Sequence, residues 1–299
     1  MTVEPICAIG IDLGGTRIKG VLVDGHRNIL FRQYTPTRDA EGSWQEGVMT
    51  TFRALQQKMP SAALLAGISA PGLPNRDNTA IAFMPGRLAG LENFSWRDWL
   101  QVPAWVLNDA VAALTAEAAS GAARQAVNAI LVTLGTGVGG ALLIDGKPFQ
   151  GSFQKAGHIG HIVVDSDRDP DLTGMPGSLE DCIGNCSIEK RSNGKFQSTE
   201  TLLAACRSGD TFAREVWLTA VRKLAIALAS ASNLISPDTI VVGGGIAQAG
   251  EDLFVPLNRW FDKYEWQPGG IRPRIVRAVH GDLAGALGAA CFALDRHGM

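Results

Sequence analysis

Three glycine-rich turns, each closing an apolar run, constrain this chain more than any other feature. They are Asp12-Leu13-Gly14-Gly15-Thr16, Thr133-Leu134-Gly135-Thr136-Gly137-Val138-Gly139-Gly140 and Gly243-Gly244-Gly245. Where no Cβ intervenes, backbone N–H groups can approach an anion such as phosphate, and Thr16 adds a hydroxyl donor. The first turn is followed by a strand carrying Lys19, so it is no Walker P-loop, which needs a helix after its glycines. Read singly, each turn fits a tight hairpin or close helix–strand packing equally well. Together, three such corners at strand ends suit a nucleotide lying against bare backbone. Glycine supplies 35 of the 299 residues, well above the roughly 7% average.

The segments between these corners alternate in type. Apolar runs at 6–13, 18–24 and 29–34 are separated by short turns, which predicts antiparallel neighbours, because parallel strands need a longer crossover. A helix at 46–58, strands at 64–69 and 102–107 and an Ala-rich helix at 110–120 follow. The pattern then partly repeats, with a strand at 129–134, a glycine turn and a returning strand at 140–144 that runs into the hairpin signal Asp145-Gly146. A duplicated, two-lobed α/β chain would read this way, with one lobe over 1–108 and a second over 109–299. The loop 146–177 has the length of functional or disordered segments. Helices at 179–191, 199–208 and 211–236, strands at 239–242 and 274–279 and a helix at 284–296 complete the reading. The last helix is expected to pack back onto the first lobe.

Charge and composition exclude several classes. Basic and acidic residues number 27 and 29, and no Lys/Arg run supplies the footprint of a nucleic-acid binder. The most apolar stretch, 224–235, carries Ser230, Ser232 and Asn233 and falls short of the ~20 residues of a membrane span. The start of the sequence lacks the basic region and cleavage site of a signal peptide. Five cysteines form an odd, sparse set that suggests free thiols in a reducing cytoplasm. Asn108-Asp109 stands where a strand meets a helix. That is an ordinary capping position, and equally a place for a carboxylate acting as general base toward a hydroxyl.

Taken in order, Asp12-Leu13-Gly14-Gly15-Thr16 with Lys19, Asn108-Asp109, Gly135-Thr136-Gly137, Gly157-His158-Ile159-Gly160-His161, Leu179-Glu180 and Gly243-Gly244-Gly245 resemble the ROK family of sugar kinases over nearly the whole chain. The resemblance implies the α/β, two-lobed actin-like ATPase (ribonuclease H-like) fold, with a mixed sheet in each lobe and the active site in the interlobe cleft. It implies a cytoplasmic homodimer that binds ATP, Mg²⁺ and a hexose. Asp109 then corresponds to the base that takes a proton from the accepting hydroxyl, expected at C6. Pro71, Gly72, Asn108, Asp109, His158, His161 and Glu180 correspond to the sugar side. Asp12, Gly14, Gly15, Thr16 and Lys19 resemble the phosphate end, with Asp12 meeting Mg²⁺ through water. Gly135, Thr136 and Gly137 resemble the second phosphate turn, and Gly243 and Gly244 the adenosine side. The family's Asn further along the sugar loop is represented by Asn93, or its place is taken by Gly86.

Two departures stand out. The family's zinc module is a His followed by Cys-x-Cys-Gly-x-x-Gly-Cys-x-Glu. Here His161 is kept, but the aligned run is Asp171-Leu172-Thr173-Gly174-Met175-Pro176-Gly177-Ser178-Leu179-Glu180. Structural zinc needs four good ligands, usually thiolate or imidazole, so none is expected. His158 and His161 with Cys182 and Cys186, the last two at i, i+4 of one helix, would form an alternative set; otherwise those cysteines are small buried residues. In the second departure, the family's Glu-x-Gly-His becomes His158-x-Gly160-His161. A carboxylate only accepts hydrogen bonds, whereas a neutral imidazole also donates one, so the sugar is expected to differ from plain glucose. Two other readings stay open: a sugar sensor without catalysis, and a kinase using another donor such as polyphosphate. ROK-type repressors carry a DNA-binding module before the first glycine turn, and the eleven residues ahead of Asp12 are too few for one.

Overall fold

The structure is a computed structural model that describes residues 5–37, 44–84, 86, 88–171 and 173–298. Leu172, within the aligned zinc run, lies outside them. The chain divides into two compact units, one comprising Met1–Gln125, Lys147–Ala156 and Val279–Met299, the other Ala126–Gly146 and Gly157–Ala278.

In the first unit, β1 (Ile6–Leu13), β2 (Arg17–Asp24) and β3 (Ile29–Pro36) form the expected antiparallel meander. After α1 (Trp44–Gln56), β4 (Ala63–Ala70) returns parallel to β1. The short strands β5 (Leu73–Pro74) and β6 (Ile81–Phe83) pair separately. A short helix α2 (Trp96–Leu100) precedes β7 (Ala104–Asn108), which lies parallel to β4, giving the order β3-β2-β1-β4-β7. One sheet face buries α1 beneath an aromatic cluster of Trp44, Phe94 and Trp96.

The other face receives α3 (Asp109–Ser120) and, from far along the sequence, the helix Ala284–His297. That late helix approaches closely enough that a Cβ on Gly10 or Gly67 would overlap its Ala286 or Ala289 carbonyl oxygen. Gly288 likewise lies against the Ala112 carbonyl of α3. This packing moves the division of the chain. The boundary expected at 108 falls instead after Gln125, because α3 packs on a helix that covers one face of the first sheet.

The second unit repeats the topology. Strands β8 (Ala129–Leu134) and β9 (Val138–Ile144) form a hairpin. The chain leaves through β10 (Lys147–Phe149) and returns at Gly157. Helices α4 (Leu179–Ile183), α5 (Ile188–Arg191), α6 (Thr199–Arg207) and α7 (Thr211–Ile235) follow, then β11 (Thr239–Gly243), α8 (Glu251–Tyr264), β12 (Arg274–Arg277) and, back in the first unit, α9 (Ala284–His297). Within the second unit the strand order is β9-β8-β11-β12, with β8, β11 and β12 parallel.

Three differences from the sequence reading have local causes. The helix expected over 179–191 breaks at Gly184, whose carbonyl accepts from the Arg191 guanidinium, while the next two amides turn toward other partners described below. The helix α8 was not legible because Pro256 stands inside it. Proline lacks the N–H that would satisfy the carbonyl four residues back; that carbonyl, on Asp252, accepts from Trp217 Nε1 at 2.9 Å instead. By length and composition alone α7 would suffice to cross a membrane, at mean hydropathy 1.3 over its apolar window, so the shortness of its apolar run excludes nothing. Half of that window is buried in the unit's own core.

The buried Glu117 ties the end of α3 to the returning chain. Its Oε2 accepts from Ala122 N, and its Oε1 from Val279 N and His280 N, at 2.7–3.0 Å. An amide left without its acceptor costs about 1–3 kcal/mol. Glu117→Ala should therefore lower stability by at least ~3 kcal/mol, read as a fall in the urea midpoint. Glu117→Gln, which keeps one acceptor oxygen, should lose less.

Candidate active site

Strand register assembles the first corner. Parallel pairing sets Asp12 beside Ser69 and Ala70 beside Asn108, so the carboxyl ends of β1, β4 and β7 present these side chains along one edge. Asp12 Oδ1 accepts from Ser69 Oγ at 2.7 Å, and its Oδ2 from Lys19 Nζ at 3.1 Å. Gly285, in the first turn of α9, lies against both Asp12 and Ser69 with no room for a Cβ. The positive end of that helix therefore faces the carboxylate. Neither Ser69 nor Gly285 was picked out from sequence; the only signal was a hydroxyl closing an otherwise apolar strand. Gly14, Gly15 and Thr16 form the adjoining turn, and Thr37 Oγ1 donates to the Gly14 carbonyl.

Asn108 is the N-cap of α3. Its Oδ1 accepts from Ala110 N at 3.0 Å, and its Nδ2 donates to the Gly72 carbonyl at 3.1 Å. The cap is worth about 1 kcal/mol, and the second bond ties the Pro71–Gly72 turn to the same helix end. Asp109 is consequently the first residue of α3 and not its cap. Its side chain is exposed to solvent. Its carboxyl is nevertheless pushed up to about 6, first by desolvation in the protein around it and then by repulsion from the Asp12 carboxylate.

The second corner lies in the other unit. Gly244, at φ +85°, has its Cα pressed against the Leu134 backbone, a position closed to any larger residue, so the ends of β8 and β11 and their two glycine turns are neighbours. The amides released at the Gly184 break hold this corner: Asn185 N donates to the Gly135 carbonyl at 3.0 Å and Cys186 N to that of Thr136 at 2.8 Å. Glu180, on α4, accepts from Val138 N through Oε2 at 2.8 Å and rests against Gly137. The 157–161 loop reaches the same place, Gly160 lying against the Val138 carbonyl. The His158 and His161 rings stack with centroids 6.4 Å apart. Register and packing thus gather Glu180, His158 and His161 around the start of β9.

Asn93 and Gly86 belong to the first unit. Asn93 lines a cavity of about 460 Å³ with Ala104 and Trp105, at the opposite end of β7 from Asn108. Gly86 is exposed, and a Cβ added there would meet no atom of the described residues within 4 Å. Asn93 N donates to the Ile81 carbonyl, and Ile81 and Met84 lie against Gly72, whose carbonyl accepts from Asn108. The alternative set of two histidines and two cysteines does not form on one helix face, because the break at Gly184 separates a buried Cys182 from an exposed Cys186. Among the described residues no group of three or more His, Cys, Asp or Glu is placed to hold a metal ion.

Nor do the residues of the aligned zinc run fit that metal. Asp171 Oδ1 accepts from Thr173 N, Thr173 Oγ1 and Met175 N at 2.7–3.0 Å, and its Oδ2 from Ser178 Oγ at 2.5 Å. These donors hold the Asp171 carboxyl well below the usual carboxylate range, against the opposing effect of desolvation. A carboxylate already serving four donors, flanked by two hydroxyls, offers no thiolate or imidazole to zinc.

Comparison with known proteins agrees with this architecture. The ROK family profile matches residues 8–296, and the chain belongs to the ROK family. It is 28% identical to a glucokinase of Streptomyces coelicolor, across 96% of this chain and 97% of that one. It is 27% identical to an N-acetylmannosamine kinase of Escherichia coli, across 95% and 97%. A ROK glucokinase of Streptomyces griseus, solved in complex with glucose and AMPPNP, superposes with a TM-score of 0.79 at 25% identity, covering 98% of this chain and all of that one. The fold is that of the actin-like ATPases.

The contact between Gly137 and Glu180 can be checked directly. A methyl group at Gly137 would overlap Glu180 Oε2, the free end of a flexible side chain. Gly137→Ala should swing that carboxylate off Val138 N, shifting the Val138 amide resonance while the thermal midpoint stays within about 2 °C.

Proposed function

We propose that this chain, an ATP-dependent sugar kinase of the ROK family, phosphorylates a hexose or hexose derivative at its C6 hydroxyl with Asp109 as general base. The observation that carries the reading is the placement of the Asp109 carboxylate at the first residue of α3, on the strand-end edge that also holds Asp12, where desolvation and the Asp12 charge push its pKa up to about 6. A base near the working pH is deprotonated in neutral solution and still strong enough to share a proton in the transition state. The sugar O6–H proton passes to Asp109, an O6–Pγ bond forms, and the bond between Pγ and the bridging oxygen breaks to release ADP. Such transfers depend mainly on positioning and charge stabilisation.

ATP enters as its Mg²⁺ complex. Asp12 suits the metal end of that substrate: it is a hard oxygen donor on the same edge as Asp109, and the repulsion between the two carboxylates is what a nearby divalent cation relieves. Lys19, Gly14, Gly15 and Thr16 would serve the phosphates, as would Gly135, Thr136 and Gly137 of the second corner. Gly243 and Gly244 would receive the adenosine. Asn108 spends its side chain on the α3 cap and the Gly72 carbonyl, so its part is to hold Asp109 and the Pro71–Gly72 turn in place.

His158, His161 and Glu180 are assigned to the sugar. With His158 where the family has Glu, the site gains a donor able to meet a carbonyl oxygen. That chemistry favours a 2-acetamido hexose over glucose, in keeping with the similarity to an N-acetylmannosamine kinase. Sugar-dependent ADP release over glucose, mannose, N-acetylglucosamine and N-acetylmannosamine tests this. His158→Glu should move the ranking toward glucose by about tenfold, and an unchanged ranking refutes the assignment.

Asp109→Asn should lower kcat by at least ~10² while leaving sugar affinity within a few fold. Retention of more than a few per cent of activity would exclude the base. The ionised form is the active one, so kcat/KM should fall as pH drops through about 6. In Asp12→Asn, whatever activity is left should show this limb at lower pH, since the repulsion raising Asp109 is gone.

A further inference from the structure

The misfit between the 171–178 run and zinc leaves open what fixes the start of α4. We propose that Asp171 is a positioning residue that does by hydrogen bonding what a metal would do here, holding the N-terminus of α4 and, through it, Glu180.

The connection is continuous. The Ser178 hydroxyl donates to Asp171 Oδ2 at 2.5 Å and accepts from Asp181 N at 3.2 Å, so one fully buried side chain both caps α4 and joins it to the Asp171 carboxylate. Glu180 lies between the cap and Asp181, and its carboxylate is set against Val138 N. The base of the loop is closed by Val164 N donating to the Gly177 carbonyl at 3.0 Å and Leu179 N to that of Ile162 at 2.8 Å. Within the loop, Asp171 N donates to the Met175 carbonyl at 2.8 Å and Gly174 N to that of Asp171 at 3.0 Å. Thr173 and Met175 are thereby wrapped around the carboxylate on which Ser178 hangs.

A five-residue helix has little stability of its own, since nucleation is unfavourable and few hydrogen bonds repay it. Leu179 and Ile183 anchor it in the unit's core, and its ends set where it starts and stops. At the far end Gly184 is held by Arg191, and at the near end the Ser178–Asp171 link and the two backbone bonds of the loop base act together with the Lys190–Asp181 ion pair and the burial of Leu179. Four donors on one ionised carboxylate make a junction stronger than neutral hydrogen bonds would. The depressed Asp171 pKa agrees: its contribution is fully present above the ordinary carboxylate range and is lost only as pH falls through the lower folded-state value.

The functional consequence rests on the assignment of Glu180 to the sugar, and the test separates the two. In Asp171→Ala, amides of 179–183 should exchange hydrogen at least tenfold faster than in the wild type, and the sugar KM should rise about tenfold with the ATP KM within twofold. Unchanged exchange, or equal changes in both KM values, overturns the proposal. In a Glu180→Gln background, Asp171→Ala should add less than twofold to the sugar KM. An additive effect there overturns the proposal alone, whereas a Glu180→Gln variant with wild-type sugar KM removes the Glu180 assignment and this proposal with it. Should Asp171→Ala fail to fold, Thr173→Val removes one of the four donors with little change of volume and should give a smaller rise in the same sugar KM; no rise overturns the proposal. Purified enzyme should contain well below one equivalent of zinc and be insensitive to 1,10-phenanthroline, and a stoichiometric zinc content overturns it.

Discussion

The first unit depends on backbone meeting backbone. Gly10 of β1, Gly67 of β4 and Gly288 of α9 let a helix lie on the sheet, and on α3, at distances that any Cβ would forbid. Once α9 is seated there, its first turn stands over Asp12 and Ser69, and α3 is held with Asn108 and Asp109 at its start. The carboxylates owe their places to this layer. Each sits at a strand end or a helix start, and none is on a free loop. Such placement gives a site the precision of the scaffold that carries it.

The two carboxylates also constrain one another. Asp12 accepts from a hydroxyl and an ammonium, whereas Asp109 accepts from the Ala110 amide, meets the Asn108 side chain and faces the negative charge of Asp12. The outcome is one acid tied to its partners and another whose carboxyl is pushed up. A pair of like groups separated in this manner divides the labour between charge handling and proton transfer.

Much of this was legible in the sequence, and what was not has identifiable reasons. The meander over β1 to β3, the hairpin of β8 and β9 and the Asp145-Gly146 turn follow from alternation and turn residues, which are local signals. Asn108-Asp109 could be placed at a strand–helix junction, but which of the two would cap the helix depended on the Gly72 carbonyl, 36 positions away in sequence. The break at Gly184 was invisible because the amides that leave the helix are claimed by the Gly135 and Thr136 carbonyls, a tertiary demand on a locally helical run. Pro256 hid α8, since nothing nearby announces that Trp217 will take the orphaned carbonyl. The missing thiolates were plain in the sequence; the hydrogen-bonded substitute was not.

The order in which the first unit is made carries its own consequence. Its sheet is finished before β8 is synthesised, yet the helix covering one face of that sheet emerges from the ribosome only after the whole second unit. Until then β1 and β4 expose an apolar surface studded with glycine, where stray strands or chaperones could settle. The nascent chain must therefore hold a half-built layer open for a partner that arrives last, and the second unit, whose chain is already complete, is free to fold first.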